Sequence, residues 1–377
     1  MARWEVIDHA GHGTEVLAVH AALLGNGRVV VFSGSEHNRE QHNAGRFDHS
    51  RIWDPATRRV SHIRSPAYDL FCCGHAFLAD GRLLVAGGTN AYDPGFLGSK
   101  EVAIFDPASV DAHADPWHRI GAMAGGRWYP TLVTLPDGRV VTVSGLLDAP
   151  FPAPVNTAVE VFSPEPAPGW WRVAGYQPDM PGGYPRMHLV PDGRVLCATP
   201  MAGVTRAWDP VGEGWADVAP GAGPDYTGYN TTSVLLPLMP QDGYRARVLL
   251  AGAPEPLVLD LGAPEHGWRP TAPRPLHGSP RRNHACAVLL PDATVLVVGG
   301  SVTEQDADAV LTAESFDPAT GSWSNREAAT VPRVYHNVAL LLQDGTVWTA
   351  GSNHNGAMGH SEHRMELYHP PYLDHPG

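Results

Sequence analysis

The chain has few cysteines, no long apolar run and fewer basic than acidic residues. Its 377 residues include only Cys72, Cys73, Cys197 and Cys286, too few and too scattered for a disulfide framework. No run of about 18 apolar residues occurs, so we expect no membrane span. The net charge of −13 argues against binding to nucleic acid or anionic membranes, since both favour basic patches. The first residues, Met-Ala-Arg-Trp-Glu-Val, do not form a signal peptide, and localisation is left open.

Turn dipeptides recur along the chain at a nearly constant spacing. Asn-Gly and Asp-Gly favour the tight turn of a β-hairpin because both residues tolerate positive φ. They separate β-branched apolar runs, such as residues 132–135 and 140–143, which are too short for amphipathic helices. The seven turns lie 50 to 57 residues apart and predict seven units: Asn26-Gly27, Asp80-Gly81, Asp137-Gly138, Asp192-Gly193, Asp242-Gly243, Asp292-Ala293 and Asp344-Gly345.

Two further strands follow most turns. The third strand ends at a proline, as at residues 104–107, and the fourth begins at a tryptophan, as at Trp117. Four strands per unit with a double glycine after the second are typical of a kelch-type β-propeller blade. The last unit stops after its third strand, and residues 3–6 look like the missing outer strand. The sequence therefore predicts an all-β fold: one seven-bladed kelch-type propeller over residues 1–377, its ring closed by the N-terminal strand.

Chemically active side chains fall at one equivalent position of the repeat. The first strand of each propeller blade lines the central channel, and the residues that open it surround one mouth. A thiol, phenols and imidazoles gathered at one mouth indicate redox-metal chemistry. Counting back eight residues from each turn gives Ala18, Cys72, Tyr129, Tyr184, Val234, His284 and His336, with Tyr335 beside the last; the fifth hairpin is expected to break this count.

Three motifs carry a family resemblance that covers nearly the whole chain. They are Asp69-Leu-Phe-Cys72, Arg127-Trp-Tyr129 and Arg333-Val-Tyr-His336, the last two followed by their hairpin turns. The motifs resemble those of the galactose oxidase and glyoxal oxidase family of copper radical oxidases. The resemblance implies a seven-bladed kelch catalytic domain, one copper ion and a thioether between Cys72 and Tyr129.

The same resemblance implies a role for each residue. Tyr129 becomes the equatorial phenolate and radical site, His336 an equatorial imidazole, and Tyr335 the axial phenol and proton acceptor. Imidazole and phenolate suit copper(II). The implied reaction oxidises a primary alcohol, aldehyde or carbohydrate with O2 and gives H2O2. The expected partners are these small molecules and O2, and a monomer is expected.

The chain departs from the family pattern at two places. In the family, a second equatorial histidine comes from an immunoglobulin-like domain that follows the propeller. We expect that domain to be absent here, which leaves the ligand set of Tyr129, Tyr335 and His336 one short; His284 and His75 are the candidates to replace it. Residues 146–151 offer no tryptophan to stack over the thioether.

The sequence leaves several interpretations of these residues and of the function open. Tyr184 and Arg186 are candidates for substrate contact, whereas Cys72 and Tyr129 taken singly would be ordinary buried residues. Consecutive strand residues face opposite sides, so Tyr335 and His336 reach one ion only where the chain is irregular. The alternative functions are a degenerate relative that binds copper poorly and a non-catalytic kelch interaction module. The histidines near the end fit no zinc pattern and are expected in a polar loop: His354, His360, His363, His369 and His375.

Overall fold

Seven four-stranded antiparallel sheets follow one another around a ring, which confirms the predicted kelch-type propeller. We analysed a computed structural model. The described part of the chain contains no helix long and apolar enough to span a membrane. The structure describes residues 3–7, 15–93, 95–149, 152–224, 226, 230–253, 255–275, 281–353 and 361–374.

The strands β1 to β28 are numbered in chain order, and each blade runs from the channel outwards. The blades are β2 (His20–Leu23), β3 (Val29–Phe32), β4 (Ser50–Asp54) and β5 (Arg59–Ile63); β6 (Asp69–Phe77), β7 (Leu83–Ala91), β8 (Leu97–Phe105) and β9 (Trp117–Arg127); β10 (Thr131–Thr134), β11 (Val140–Val143), β12 (Ala158–Ser163) and β13 (Trp170–Tyr176); β14 (Met187–Leu189), β15 (Val195–Met201), β16 (Val204–Asp209) and β17 (Gly214–Pro220); β18 (Thr232–Leu235), β19 (Arg247–Ala251), β20 (Leu257–Asp260) and β21 (Arg269–Pro270); β22 (Cys286–Leu289), β23 (Val295–Val298), β24 (Thr312–Asp317) and β25 (Ser322–Ala328); and β26 (Tyr335–Leu341), β27 (Val347–Asn353), β28 (Met365–His369) and β1 (Arg3–Ile7).

Short helices occupy some of the connections. The α-helices α1 (Arg39–Asn43) and α2 (Pro107–Asp111) begin after Asn38 and Asp106, whose side chains accept hydrogen bonds from the first helical amides. Four 3-10 helices complete the assigned helices of the described residues: Pro240–Asp242, Pro264–His266, Asp306–Asp308 and Pro371–Asp374.

The hairpin turns have the local geometry that the dipeptides predict. At the second turn Gly81 has φ +86°, and Asp80 Oδ1 accepts the backbone amide of Arg82 at 3.0 Å. The fifth blade departs from the pattern, because the 3-10 helix Pro240–Asp242 lengthens its hairpin. The count of eight residues therefore fails in that blade.

The core lies between neighbouring blades. The second strand of each blade is almost fully buried, as in β3 and β11, because both of its faces pack against adjacent sheets. Trp53 of the first blade stacks on Trp348 of the seventh, with ring centroids 5.3 Å apart. Each blade thus contributes its faces to two interfaces, and the stability of the ring is close to a sum of these neighbouring contacts.

The N-terminal strand closes the ring, as predicted. β1 pairs antiparallel with β28, from Arg3 opposite His369 to Ile7 opposite Met365. The Trp4 ring lies 5.0 Å from that of Tyr368. Strand β1 therefore supplies the outer edge of a blade whose other three strands come from the opposite end of the sequence.

Candidate active site

The residues that open the innermost strands meet at one mouth of the channel. The backbone amide of Tyr129 donates to Cys72 O at 2.9 Å, and that of Tyr184 donates to Tyr129 O at 2.8 Å. Cys72, Tyr129, Tyr184, His284 and His336 all have positive φ, between 43° and 67°. Such a conformation costs about 1 kcal/mol or more for a residue with a Cβ, and it persists where the surroundings enforce it. Five blades thus use the same unusual backbone to present a side chain at the mouth.

The irregular backbone places both Tyr335 and His336 at the mouth. His336 has φ +48°, and the pairing of β26 with β27 passes from Tyr335 to Asn337 without a partner assigned to His336. The rings of Tyr335 and His336 have centroids 3.7 Å apart. The alternation of side chains along a regular strand is therefore interrupted at His336, and both side chains reach the mouth.

A buried arginine stands two residues before a mouth residue in three blades. Arg127 Nη2 donates to Glu160 Oε1 at 2.8 Å, and its Nη1 donates to Ser144 O at 2.7 Å. Burial lowers the pKa of the Arg127 guanidinium. It lowers the pKa of the equivalent arginines of the sixth and seventh blades, Arg282 and Arg333, to about 10. These arginines tie the first strand to the second and third. The three pairs are Arg127 with Glu160, Arg282 with Glu314, and Arg333 with Glu366.

Cys72 and Tyr129 lie together in an apolar cluster. The two residues are 0% and 3% exposed, and a hydrogen bond joins their side chains. Burial raises the pKa of the Cys72 thiol and of the Tyr129 phenol well above their ordinary values. The structure thus brings the predicted pair into contact, with both groups protonated when no metal is present.

Two phenol oxygens and one imidazole nitrogen converge beside this pair. Tyr129 Oη is hydrogen-bonded to Tyr335 Oη and lies 3.1 Å from His336 Nε2. His336 Nδ1 donates to Asn353 Oδ1 at 2.9 Å, which leaves the lone pair on Nε2, facing the phenol. Burial lowers the pKa of His336 well below 6.5, so its imidazole is neutral. This donor set of oxygen and nitrogen fits copper(II).

Both faces of the Tyr129 ring are covered by aromatic rings. Trp128 stacks on one side at 3.8 Å between centroids with an interplanar angle of 12°, and Phe96 stacks on Trp128 at 4.4 Å. Tyr184 stacks on Tyr129 at 4.5 Å, and its hydroxyl donates to Cys73 O at 2.7 Å. Residues 146–151 offer no tryptophan, and the tryptophan that stacks on Tyr129 is Trp128.

The remaining predicted residues lie around and below the mouth. His284 packs edge-on against Tyr335, with centroids 4.9 Å apart, while its Nε2 is 2.6 Å from Glu304 Oε1. His75 lies deeper in the channel, with its ring 5.6 Å from that of His20. Arg186 Nε donates to Thr231 O at 2.6 Å. The structure brings His284 to the mouth but not His75.

A cavity of about 430 Å³ opens beside these groups, a volume that suits a small molecule. It is bounded by Tyr129, Tyr335 and His336 at one end and by Arg186 and His75 further along the channel. A substrate in this cavity would contact the phenols directly. Tyr184 and Arg186 line it as well, where the sequence places substrate contacts.

Other histidines and cysteines do not form a metal site in the part of the chain that the structure describes. There, no cluster of three or more His, Cys, Asp or Glu side chains has the arrangement of a metal site. All four cysteines are free; Cys197 is buried, whereas Cys286 is only partly buried, with Sγ 3.1 Å from Asn337 Oδ1. Of the histidine-rich segment, His354, His360 and His375 lie outside the described residues.

Because several histidines are buried in the channel, we expect acid to destabilise the fold. Burial lowers the pKa of His75 and His188 from 6.5 to about 4. Between these values the unfolded chain binds more protons than the folded one, so stability falls as the pH drops from 6.5 towards 4, by about 2–3 kcal/mol for each imidazole. Urea unfolding measured across this pH range should show the loss of stability. The substitution His75→Gln should make that loss smaller. The exposed His62, changed to glutamine, serves as the control; an equal change of slope in both variants would contradict the prediction.

Residues outside the predicted set also shape the mouth. Trp128 adjoins Tyr129 in sequence, but nothing in the repeat indicates its stacking. Asn353 ends β27, and His37 lies on the loop between β3 and β4, where no periodicity marks it. The arginines appear in the motifs, yet their glutamate partners lie 32 or 33 residues later and have no local signal.

Comparisons with known proteins agree with this fold. No family model matches the chain. The galactose oxidase of Gibberella zeae is 24% identical over 371 residues, covering 92% of this chain and 52% of that enzyme. The aldehyde oxidase GLOX of Vitis pseudoreticulata is 25% identical over 438 residues, covering 98% of this chain and 76% of that protein. The chain therefore spans about half the length of the galactose oxidase that it matches.

A solved structure shows the same architecture. A fungal alcohol oxidase of the AA5 family, in complex with copper, superposes with a TM-score of 0.77 at 24% identity. The match covers 99% of this chain and 77% of the other. The likeness to this solved structure concerns the fold, whereas the sequence similarity to the two oxidases extends over most of this chain. The chain is thus similar over most of its length to galactose oxidase and to an aldehyde oxidase GLOX, which supports a place in the copper radical oxidase family.

Proposed function

We propose that this chain is the catalytic propeller of a copper radical oxidase that converts a primary alcohol to an aldehyde, or an aldehyde to an acid, with O2 as the oxidant and H2O2 as the second product. The observation that supports this most directly is the meeting of Cys72, Tyr129, Tyr335 and His336 at one mouth. A kelch interaction module needs no such set of buried donors. The substrate class follows from the relatives and is a proposal for this chain.

The chain offers three donors to a copper ion. Tyr129 Oη, Tyr335 Oη and His336 Nε2 would hold it, with Asn353 fixing the imidazole. Bound copper(II) together with an oxidised Tyr129 supplies the two oxidising equivalents that the reaction needs. Because burial keeps both Tyr129 and Cys72 protonated without metal, occupation of the site requires the loss of at least the Tyr129 proton.

The contact of Cys72 with Tyr129 supports a thioether in the mature protein. In this step a bond forms between the Cys72 sulfur and a carbon of the Tyr129 ring. The S–H bond and one ring C–H bond break, and two protons and two electrons pass to O2, which becomes H2O2. Sulfur substitution delocalises a radical over the ring, and the covering rings of Trp128 and Tyr184 keep water from both faces.

The protein's own groups then have distinct roles in turnover. The cavity admits the substrate beside the phenols and keeps its reacting carbon close to Tyr129. With copper bound, Tyr335 Oη would accept the proton of the substrate hydroxyl, and an oxidised Tyr129 would accept a hydrogen atom from the carbon. The remaining electron would pass to copper(II), and O2 would then accept both electrons and both protons to give H2O2. Arg186, deeper in the cavity, presents a cation that can orient the polar end of a substrate.

Mass spectrometry with a peroxide assay tests the proposal. After copper and air exposure, the peptides of Cys72 and Tyr129 should appear joined, with a loss of two hydrogens, about 2 Da. Peroxide release should follow the addition of primary alcohols, sugars or glyoxal-type aldehydes. A fully copper-loaded protein with an unlinked pair would exclude the radical oxidase. A linked pair that releases no peroxide with any of these compounds would indicate instead that the protein is a degenerate relative of these oxidases.

A further inference from the structure

Polar side chains form a layer in the channel below the mouth: His20, His75, Arg186, His188 and Ser233. All of them line a second cavity, of about 290 Å³, and all except His188 also line the cavity at the mouth. The described residues that line the two cavities include no aspartate or glutamate, although the chain carries 39 acidic residues. Because these walls present no carboxylate, they favour an anionic ligand over a cation.

His20 presents a buried nitrogen that no protein group satisfies. The residue is 7% exposed, and its Nε2 has no hydrogen-bond partner among the residues that the structure describes. The ring stacks on Phe32 at 5.2 Å between centroids, and His75 stands edge-on to it at 5.6 Å. Buried polar atoms nearly always have a partner, so a ligand bound in the cavity would account for this nitrogen.

The other imidazoles of the layer are uncharged. Burial lowers the pKa of His20 well below 6.5, and it lowers the pKa of His75 and of His188 to about 4. His188 Nε2 lies 2.6 Å from Ser233 Oγ. A neutral imidazole carries one N–H, which can lie on either ring nitrogen. The layer therefore supplies N–H and O–H donors to a ligand without adding charge of its own.

Arg186 supplies the cation of the layer. Its backbone amide donates to Thr199 Oγ1 at 2.9 Å, and its Nε donates to Thr231 O at 2.6 Å. Burial lowers the pKa of the guanidinium, which still remains protonated at neutral pH. Tyr184, two residues earlier, stacks on Tyr129 at 4.5 Å. A guanidinium forms its strongest hydrogen bonds with carboxylates, and this one lies on the blade next to that of the proposed radical site.

We infer that the polar layer is a carboxylate subsite, so that the preferred substrates are primary alcohols or aldehydes with a carboxylate at the other end. The inference rests on the proposed function. Arg186 would bind the carboxylate, and His20 Nε2 would donate to it. The end to be oxidised would then lie beside Tyr129 and Tyr335. The cavity of about 430 Å³ has room for such a molecule of about three to six carbon atoms.

Calorimetric titration of the copper-free 377-residue chain tests the subsite apart from turnover. Copper is left out because the metal ion could itself bind a carboxylate. Butyrate carries the carboxylate alone, and butanol is its neutral counterpart. We expect butyrate to bind about tenfold or more tightly than butanol, and to lose about tenfold or more of its affinity in Arg186→Met and in His20→Phe. The phenylalanine retains the stacking on Phe32 and removes the ring nitrogens.

Matched variants separate the loss of the subsite from other effects. His62→Phe removes an exposed imidazole on β5 and should bind butyrate as the wild type does. Arg186→Lys retains the charge and should give an affinity between those of the wild type and Arg186→Met. Equal affinities of the wild type for butyrate and butanol would overturn the inference. A preference for butyrate that both Arg186→Met and His20→Phe retain in full would also overturn it.

Peroxide release by the copper-loaded chain tests the substrate class. The ratio of kcat/KM for an ω-hydroxy acid to that for the diol of the same length should be about ten or more, and it should fall towards one in His20→Phe. A wild-type ratio near one would overturn the substrate assignment. No peroxide from any compound, with butyrate still bound, would overturn the proposed function and the substrate assignment with it, while the carboxylate site would stand.

Discussion

Replacing Cys72 with serine should abolish the loss of two hydrogens on copper loading and lower peroxide release by about 100-fold or more. The hydroxyl is nearly the size of the thiol, so the apolar cluster around Tyr129 should remain packed. Without ring sulfur, however, the Tyr129 radical is harder to form and less delocalised. Peptide mapping reports the link, and stopped-time peroxide assays report the rate.

The neighbouring cysteine is a matched control for this change. Cys73 is equally buried on the same strand, but its side chain belongs to the core cluster between the first and second blades. Cys73→Ser should retain the link and most of the rate. The thioether hypothesis fails if Cys72→Ser still loses two hydrogens, or if both variants lose the link alike.

Replacing Arg127 with methionine should lower the free energy of unfolding by about 3–5 kcal/mol, the usual cost of removing one partner of a buried ion pair. The side chains of Arg127 and Glu160 are 0% and 1% exposed, so Glu160 would keep a charge in the core without its guanidinium. The carbonyl groups of Ser144 and Ala158 would lose their donors as well. Urea unfolding monitored by tryptophan fluorescence measures the change.

An exposed ion pair provides the comparison. Arg139→Met removes a contact with Asp137 at 2.7 Å at the surface of the blade that carries Glu160 and should cost about 1 kcal/mol or less. The double variant Arg127→Met with Glu160→Leu should recover part of the loss, since no buried charge remains unpaired. Equal losses for Arg127→Met and Arg139→Met would show that the buried pair does not hold the blade together.

Most of the architecture could be predicted because its signals are local. Each hairpin is specified by a turn dipeptide and the runs on either side, and repetition turns a weak signal into a ring of known size. The positions of Cys72, Tyr129 and His336 followed from the same count, since equivalent residues of a closed ring must meet. The fifth blade shows the limit of this reasoning, because an altered hairpin shifts the count without a change in the fold.

The rest of the mouth depends on contacts that no local pattern contains. His37 reaches His336 across about 300 residues of sequence because the ring brings the first and seventh blades together. Trp128 stacks on Tyr129, which has a positive φ and is held by backbone hydrogen bonds to neighbouring blades. Chemically important side chains on loops are therefore found by geometry, even when the scaffold is evident from the sequence.

The pairing of β1 with β28 has a consequence for the order of events during synthesis. Arg3–Ile7 is made long before its partner Met365–His369, because all the other strands lie between them in the sequence. Earlier blades can assemble as they emerge, whereas the opening strand must wait, unpaired and able to join a foreign sheet edge. Slow or interrupted translation before Met365–His369 is made should therefore raise the yield of aggregated nascent chains.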